Sequence, residues 1–220
     1  MAKDGQILFV HRECSSIPTI LIEKHASSAR SLDLSYNLLC TLRGVERFVQ
    51  LQELILDSNQ LSDATEFFYN PQLTTLSLNK NRFRDLERLI SSLQRCYPNL
   101  TFLSLLGNPA CPDQITNPEK DEDDYQRYRY YVIHSLVNLR FLDSRPVNNA
   151  ERRESRRIGA FMRVSRPTGD DQAPDDEYSS PLTQLPTWPE AQKRTLFGTL
   201  TYKYTGKHSE GNRFICNDQL

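Results

Sequence analysis

Leucine and asparagine recur along the first half of the chain in a pattern that predicts a repeated structure. The segment LQELILDSNQL, which begins at Leu51, has leucine or asparagine at every fixed position of LxxLxLxxNxL. The segments that begin at Ala29 and Leu73 follow the same pattern, and their asparagines keep a spacing of 22 residues: Asn37, Asn59 and Asn81. A fourth segment, LTFLSLLGNPA, places Asn108 after a longer step of 27 residues. A fixed period of this length indicates stacked, equivalent structural units.

Each position of the pattern has a physical reason. Leucines that are separated by one residue lie on the same side of a short strand, so both can point into a core. A buried asparagine can hydrogen-bond the backbone groups that turn away from that strand, which an apolar residue could not do. Stacked coils would then form a parallel sheet along a concave face. The sequence therefore predicts an α/β leucine-rich repeat solenoid, with repeats over residues 29–110.

The segment before the repeats predicts a cap at the N-terminal end of the stack. Extending the 22-residue register backwards aligns Ile17 with Leu39 and Val10 with Leu32. We therefore expect residues 1–28 to form a degenerate first coil, which would shield the apolar end of the solenoid from water.

The segment after the repeats predicts a helical cap at the C-terminal end. An acidic stretch follows GNPAC, and then come YQRYRYYVIHSLVNLRFLDS and ERRESRR. The apolar residues of this region recur at helical spacings of three and four, at Tyr128, Tyr131, Val132 and Leu136. We expect the cap to occupy residues 111–164.

Beyond residue 164 the sequence predicts a disordered linker and a partner-binding tail. Five prolines and clustered acids in residues 165–195 oppose both helix formation and collapse. In residues 196–220 the segment LTYKYT alternates like a strand, with Tyr202 and Tyr204 on one side. A two-stranded piece is marginal by itself, so we predict that this tail, which ends on Phe214, Ile215 and Leu220, binds another protein.

The same repeat register identifies the residues that would face outward from the concave sheet. Most are polar, as expected for a solvated face, whereas apolar and aromatic residues there mark partner contacts. The competing explanation is that a cap or the tail covers them. The acidic residues would suit a basic patch on a partner. The candidate residues of this face are Phe9, His11, Asp33, Tyr36, Ile55, Asp57, Phe102 and Leu106.

Composition and charge narrow the class of function. A net charge of −1 argues against electrostatic binding of nucleic acid or membrane by the whole chain. The segment MAKDGQILFVHREC lacks the features of a secretion signal or a mitochondrial presequence. No apolar run approaches the roughly 18 residues of a membrane helix. The five widely spaced cysteines, without CxxC, are typical of reduced thiols. We expect a monomeric cytoplasmic protein.

Catalytic chemistry finds no support in the sequence. The four histidines are not spaced to bind a metal with cysteine or acidic residues, and no glycine-rich phosphate loop is present. The paired acids of KDEDD are consecutive, which indicates a solvated surface instead of an acid and base facing each other. We therefore predict no catalytic, cofactor-binding or metal-binding residues, and we expect that the protein is not an enzyme.

Several segments together resemble a family of leucine-rich repeat proteins associated with melanocyte differentiation and pigmentation. The similar segments are RECSSIPTILIEKH, LDLSYNLL, LQELILDSNQL, LSLLGNPACP, EKDEDDYQRYR, NLRFLDS and GKHSEGNRFICNDQL. The resemblance implies an adaptor in endosome-to-melanosome traffic. Its repeat domain would bind a Rab GTPase of lysosome-related organelles, and its tail would bind the retriever–commander recycling complex. The adaptor would be recruited from the cytoplasm to endosomes and melanosomes.

The last residues also resemble the end of the sorting nexin that recruits retriever. Both chains end on leucine, with isoleucine five residues earlier and acidic residues between. Carried over to this sequence, the resemblance implies that Ile215, Asp218 and Leu220 contact the partner. A basic, backbone-lined pocket can bind such an apolar side chain together with a terminal carboxylate.

Two other functions remain open from the sequence. Similar caps occur in a spliceosomal leucine-rich repeat protein and in acidic nuclear phosphoproteins, which suggests a nuclear or RNA-associated scaffold. No basic stripe with interleaved aromatic residues is apparent on the concave register, and ERRESRR reads more simply as a solvated cap helix than as an RNA or lipid site. The ending Asp218-Gln219-Leu220 also fits a PDZ-domain ligand, although many chain ends do.

Overall fold

The structure, a computed structural model, describes residues 5–112 and 121–162, which form the solenoid that the repeats predict. Seven short strands make one sheet and follow one another in chain order. The strands are β1 Gln6–Leu8, β2 Ser31–Asp33, β3 Glu53–Ile55, β4 Thr75–Ser77, β5 Phe102–Ser104, β6 Phe141–Leu142 and β7 Arg145–Pro146. The α/β solenoid with a helical C-terminal cap is therefore confirmed.

The strands stack in register because each contributes one central apolar residue to the core. Strands β1 to β6 pair in parallel, and β7 returns antiparallel beside β6. The central residues of neighbouring strands pair directly, and all but the first are buried: Ile7, Leu32, Leu54, Leu76, Leu103 and Leu142. This column is the first leucine of each LxL pair, so the repeat pattern sets the sheet register.

The return segments of the coils contain the helices. They are α1 Thr19–His25, α2 Leu86–Cys96, α3 Glu122–Ser135 and α4 Asn149–Ile158, with 3₁₀ turns at Val45–Arg47 and Gly159–Phe161. Asp85 begins α2 by accepting a hydrogen bond from the backbone of Arg88, and Asn148 begins α4 in the same way. Helix α2 also explains the longer step between Asn81 and Asn108, because a full helix needs more residues than a 3₁₀ turn.

The buried asparagines form a ladder of side-chain to backbone hydrogen bonds along the stack. The amide nitrogen of Asn59 donates to the carbonyls of Leu34 and Leu56, at 3.0 Å each, so it joins two consecutive coils. Its oxygen accepts from the backbone of Leu39 at 3.0 Å. The other repeat asparagines make equivalent bonds, at Asn37, Asn81 and Asn108. Each asparagine thus satisfies backbone groups that the turn leaves buried.

The residue before each asparagine adopts a left-handed backbone conformation. This position has a positive φ at His11, which precedes Arg12, and at Tyr36, Ser58, Lys80 and Gly107, which precede the asparagines. Only the last is glycine, although side chains disfavour this conformation by roughly 1–2 kcal/mol per residue. In the coils that have an asparagine, its hydrogen bonds hold the turn and so offset this local cost.

The first coil departs from the register that the sequence predicts. Ile7, and not Val10, pairs with Leu32, so the strand lies three residues earlier than the 22-residue spacing suggests. Ile17 is buried, as that spacing predicts. The three extra residues fall between Ile17 and Arg12, which stands where the other coils have asparagine and whose backbone donates to the Asn37 oxygen at 2.9 Å.

The predicted linker at 165–195 and the predicted tail at 196–220 lie outside the described residues. The tail residues proposed to contact a partner lie there too: Tyr202, Tyr204, Phe214, Ile215, Asp218 and Leu220. Their assignment stays a prediction from the sequence.

We predict that Asn59→Ala lowers the free energy of unfolding by about 3 kcal/mol, because it leaves several buried backbone groups without partners. Urea denaturation would measure the change. Asn99→Ala is the matched control, since exposed Asn99 makes a single bond to the Pro71 carbonyl, and we expect a loss below about 1 kcal/mol. Equal, small losses in both variants would contradict the role of the ladder.

Candidate protein-binding surface

The concave face presents three columns of outward residues, one from each side of the buried central column and one just past the strands. The first column contains Gln6, Ser31, Glu53, Thr75, Phe102 and Phe141. The second contains Leu8, Asp33, Ile55, Ser77 and Ser104. The third follows the second leucine of each pair and contains Ser35, Asp57, Asn79 and Leu106. Neighbours in a column are about 4.8 Å apart.

The centre of this face is a hydrogen-bonded polar network. Ser77 donates to the Asp57 carboxylate at 2.6 Å, and the Asn79 backbone donates to the same oxygen at 2.9 Å. Ser104 extends the network by donating to the side-chain oxygen of Asn79 at 2.6 Å. These bonds fix the position of the Asp57 carboxylate, so it cannot move freely toward a partner.

The acidic residues on the N-terminal side are tied more loosely. Ser31 donates to one oxygen of Glu53 at 2.7 Å, and Ser35 donates to one oxygen of Asp33. In both cases these bonds engage a single carboxylate oxygen. These two carboxylates can therefore still accept hydrogen bonds from a basic partner group.

Apolar side chains flank the polar centre on both sides. On the N-terminal side, Leu8 is 66% exposed and lies one strand from Asp33, with half-buried Ile55 on the next strand. On the C-terminal side the rings of Phe102 and Phe141 are 6.5 Å apart, and Phe141 is 47% exposed. Large apolar groups with this exposure on one face are typical of protein contacts.

An aromatic pair lies at the edge where the strands end. His11 stacks on Tyr36 with ring centroids 4.4 Å apart and an interplanar angle of 16°. Both residues are exposed, as is the nearby Leu38. This pair borders the concave face without projecting from the sheet itself, because both residues follow the strands at the left-handed turn.

The C-terminal cap fixes the strand that carries Phe141. Asp143 follows β6, and its carboxylate accepts hydrogen bonds from the Leu105 backbone at 2.8 Å and from the hydroxyls of Tyr125 and Tyr128 at 2.9 and 3.1 Å. Burial raises the pKa of Asp143, and these donors only partly offset that effect. Burial also raises the pKa of both tyrosines, with the Asp143 charge adding to it, so they remain hydrogen-bond donors.

A buried ion pair completes the cap. Arg129 and Glu151 form a bidentate pair, with nitrogen–oxygen distances of 2.6 and 2.9 Å. A third nitrogen of Arg129 donates to the Leu142 carbonyl at 2.9 Å, which ties helix α3 to strand β6. Burial opposes ionisation of Glu151, but the hydrogen bonds and charge of Arg129 outweigh it and lower the pKa of this carboxyl.

The arginine-rich helix α4 is partly built into the cap. Arg152 donates to the carbonyls of Val137 and Leu139, and exposed Arg157 pairs with Glu154 at 2.6 Å. These contacts favour the solvated cap helix that ERRESRR predicts over a free basic patch.

The structure corrects two of the predicted concave residues. Phe9 falls beside Leu34, because β1 lies three residues earlier than predicted, and it packs against the core. The Arg12 guanidinium lies 5.9 Å from its ring. Leu106 occupies the predicted column but is half-buried and also packs against the core. Both residues therefore contribute mainly to stability.

Five of the remaining predicted residues lie where the register places them, and the structure adds two others. Asp33, Ile55, Asp57 and Phe102 lie on the face and Tyr36 lies at its edge, whereas His11, predicted on the first strand, lies past β1 beside Tyr36. Sequence reasoning missed Leu8 and Phe141. The sequence contains an indication of each. Leu8 directly follows the apolar Ile7, and Phe141 lies between Leu139 and Leu142, which repeat the LxxL start of the pattern.

Comparison with known proteins identifies the class first. The chain belongs to the leucine-rich repeat family, whose family model, described as "Leucine-rich repeat", matches residues 26–164. The chain is also 44% identical over 201 residues to the human leucine-rich melanocyte differentiation-associated protein, covering 89% of this chain and 95% of the human one. The resemblance found in the sequence is therefore confirmed.

Other matches cover less of the chain. U2 small nuclear ribonucleoprotein A' of Candida albicans is 34% identical over 127 residues, which is 56% of this chain and 48% of that protein. Among solved structures, a chain of the Drosophila melanogaster SNF/U2A' complex superimposes with a TM-score of 0.55 at 21% identity. It covers 72% of this chain and 86% of its own length, and it supports the fold alone.

The described part of the chain shows neither a membrane-spanning helix nor a metal-binding cluster. None of its helices is both long and apolar enough to cross a bilayer. Within residues 5–112 and 121–162, no group of three histidine, cysteine or acidic side chains comes together to hold a metal ion.

We predict that Glu151→Gln lowers the free energy of unfolding by about 3–5 kcal/mol at neutral pH, because it leaves Arg129 buried without its counter-charge. The control Glu154→Gln, which removes an exposed pair, should leave stability unchanged within error. Urea denaturation at several pH values would measure both.

The difference in the free energy of unfolding between wild type and Glu151→Gln should depend on pH. The pKa of Glu151 is lower in the folded chain than its ordinary value of 4.5, so its stabilising effect is complete above that value. It is lost as the pH falls through the folded pKa. We therefore expect the difference between wild type and Glu151→Gln to shrink in acid. A difference that grows on acidification would contradict this assignment.

Proposed function

We propose that this chain is a non-enzymatic adaptor whose repeat domain binds a Rab GTPase through the concave face. Its tail would bind the retriever–commander recycling complex. The chain would work in the cytoplasm, recruited to endosomes and melanosomes, during melanocyte differentiation. Similarity to the human leucine-rich melanocyte differentiation-associated protein supports the biological setting, and the concave face supports a role in protein binding.

The observation that carries the proposal is an aromatic pair on the concave face, exposed Phe141 and half-buried Phe102. Phe141 and Phe102 lie 6.5 Å apart beside a polar network that is already hydrogen-bonded. Aromatic residues with this exposure are typical anchors of protein interfaces, because they bury a large area at low entropic cost. The cap network around Asp143 holds β6 in place, so the anchor would be preorganised and lose little freedom on binding.

Charge on the same face favours a partner with a basic patch. Asp33 and Glu53 each accept the serine hydrogen bond with one carboxylate oxygen, so the other oxygen can accept from a partner. A basic partner group could bind there while an apolar group covers Ile55. Such complementarity would raise the association rate and the selectivity more than the affinity.

The proposed role of the tail rests on the sequence alone. Phe214, Ile215 and Leu220 supply apolar groups near the C-terminus, and Asp218 supplies a charge. Tyr202 and Tyr204 would add a strand to the edge of a partner sheet. Because residues 165–195 are predicted to be a flexible linker, both partners could bind at once, at an effective concentration of roughly mM.

A nuclear or RNA-associated scaffold is the second candidate. Its support is the 34% identity to U2 small nuclear ribonucleoprotein A' of Candida albicans, which covers about half of each chain. The concave face of this chain has aromatic anchors on β5 and β6 and acidic side chains on β2 and β3, which favours a protein surface over a phosphate backbone. A PDZ-domain ligand is a further alternative for the tail ending at Leu220.

We predict that Phe141→Arg and Ile55→Arg each weaken binding of an active Rab GTPase of lysosome-related organelles by about tenfold or more. Isothermal titration calorimetry with the full chain would measure the affinity. Val137→Arg is the matched control, since Val137 is an exposed apolar residue away from the strands. Unchanged affinity in both concave variants, with circular dichroism showing folded protein, would exclude this face.

We predict that deletion of Leu220 abolishes capture of the purified retriever complex and leaves GTPase affinity unchanged. The reason is that the deletion removes both an apolar side chain and the original position of the terminal carboxylate. Leu38→Ala is a control that removes an exposed leucine from the repeat domain. Undiminished capture by the deletion variant would contradict the tail assignment without affecting the concave-face proposal.

A further inference from the structure

On the return side of the coils, a column of residues is aromatic at two positions and polar at the position between them. These residues lie three positions before the leucine that opens each repeat, and each accepts a hydrogen bond from that leucine. Phe48 and Tyr97 are aromatic and buried, whereas Asn70, which stands between them, is short and polar. The shorter side chain leaves space between two aromatic rings.

Asn70 is fixed there by the backbone of neighbouring segments. Its amide nitrogen donates to the Leu51 carbonyl at 3.1 Å, and its oxygen accepts from the Gln72 backbone at 2.8 Å. Its own backbone donates to the Cys96 carbonyl at 2.9 Å. These bonds hold the amide against the coil, so it does not fill the space beside it.

A cavity of about 190 Å³ occupies this space. Its walls come from Phe48, Val49, Phe68, Tyr69, Asn70 and Tyr97. Pockets for cofactors and drug-sized molecules measure about 300–1,000 Å³. The size therefore fits one large apolar side chain and excludes a whole cofactor.

Tyr97 lines the cavity, but its hydroxyl lies behind the wall. The hydroxyl is the one buried side-chain polar atom of residues 5–112 and 121–162 that makes no hydrogen bond, and the side chain is 2% exposed. Burial raises the pKa of this hydroxyl, with Cys96 adding to the effect, so it keeps its proton. Because the hydroxyl has almost no solvent-accessible area, an occupant of the cavity does not reach it, and the choice of occupant rests on the apolar wall and on the charge at the mouth.

The mouth of the cavity combines apolar groups with one negative charge. Val49 and Tyr69 are 65% and 69% exposed, so they extend the apolar area beyond the cavity. Glu46 is the only charged residue that lines it, and it forms no ion pair within the described part of the chain. One Glu46 oxygen accepts from the Gly44 backbone at 2.7 Å, which orients the carboxylate.

We propose that this cavity is a docking site for a partner peptide that inserts one leucine- or phenylalanine-sized side chain next to a lysine or arginine. The side chain fills the gap beside Asn70, and the cation pairs with Glu46. The charge of the occupant thus complements the single carboxylate at the mouth. The site is separate from the concave face, so both surfaces can be occupied in one complex.

The test uses acetyl-leucyl-lysine amide as the probe and the full chain with labelled methyl groups. In methyl NMR spectra, the probe should shift the signals of Val45, Val49 and Leu54, which line the cavity, with a millimolar dissociation constant. Acetyl-alanyl-lysine amide lacks the apolar side chain, and acetyl-leucyl-glutamate amide reverses the charge. Both should bind more weakly at the same signals.

A conservative variant tests the contribution of the charge. Glu46→Gln should remove the preference for the lysine probe over the glutamate probe, and Glu23→Gln on helix α1 is its control.

Three outcomes would overturn the proposal. They are the absence of shifts at the cavity methyls, equal shifts with the alanine probe, and an unchanged charge preference in Glu46→Gln. Shifts that depend on protein concentration without any probe would indicate a second copy of the chain as occupant and would also overturn it. None of these readouts involves GTPase or retriever capture, so they leave the proposed function untouched.

Discussion

The solenoid depends on hydrogen bonds between buried asparagine side chains and the backbone of adjacent coils. Each coil must turn away from its strand inside an apolar core, where unsatisfied backbone groups are costly. Asn59 resolves this by bonding the carbonyls of its own coil and of the preceding one. The sheet register, the left-handed turns and the alignment of the concave columns all follow from this repeated contact. In the C-terminal cap, the Asp143 carboxylate accepts a hydrogen bond from the Leu105 backbone and so joins the cap to the last repeat.

The repeats could be predicted from the sequence wherever an asparagine marks the turn. Coils with Asn37, Asn59 and Asn81 have the predicted register, and so Ile55 and Phe102 were placed correctly on the concave face. The first coil has Arg12 at this position, so nothing local distinguishes a strand at Ile7 from one at Val10. Period alone then gave the wrong offset, because it cannot detect three added residues in a loop.

The features that sequence reasoning missed depend on contacts between distant residues. Glu151 reads as part of a charged surface helix, but Arg129, 22 residues earlier, buries it under the cap. Phe141 becomes an exposed anchor only because β6 pairs with β5 across the whole of helix α3. The cavity beside Asn70 likewise requires three coils to stack before Phe48 and Tyr97 face the same gap. Pattern analysis describes one coil at a time, whereas these features arise between coils.

The left-handed position before each asparagine has an evolutionary consequence. Because the asparagine bonds of the next residue hold the turn, the preceding residue is not restricted to glycine, and tyrosine, serine and lysine all occupy it. Their side chains form a row along one edge of the stack, from Tyr36 to Lys80. Mutation can therefore change the chemistry of this row one coil at a time while the scaffold persists. The asparagines must be kept for the fold, whereas the residues before them can diversify.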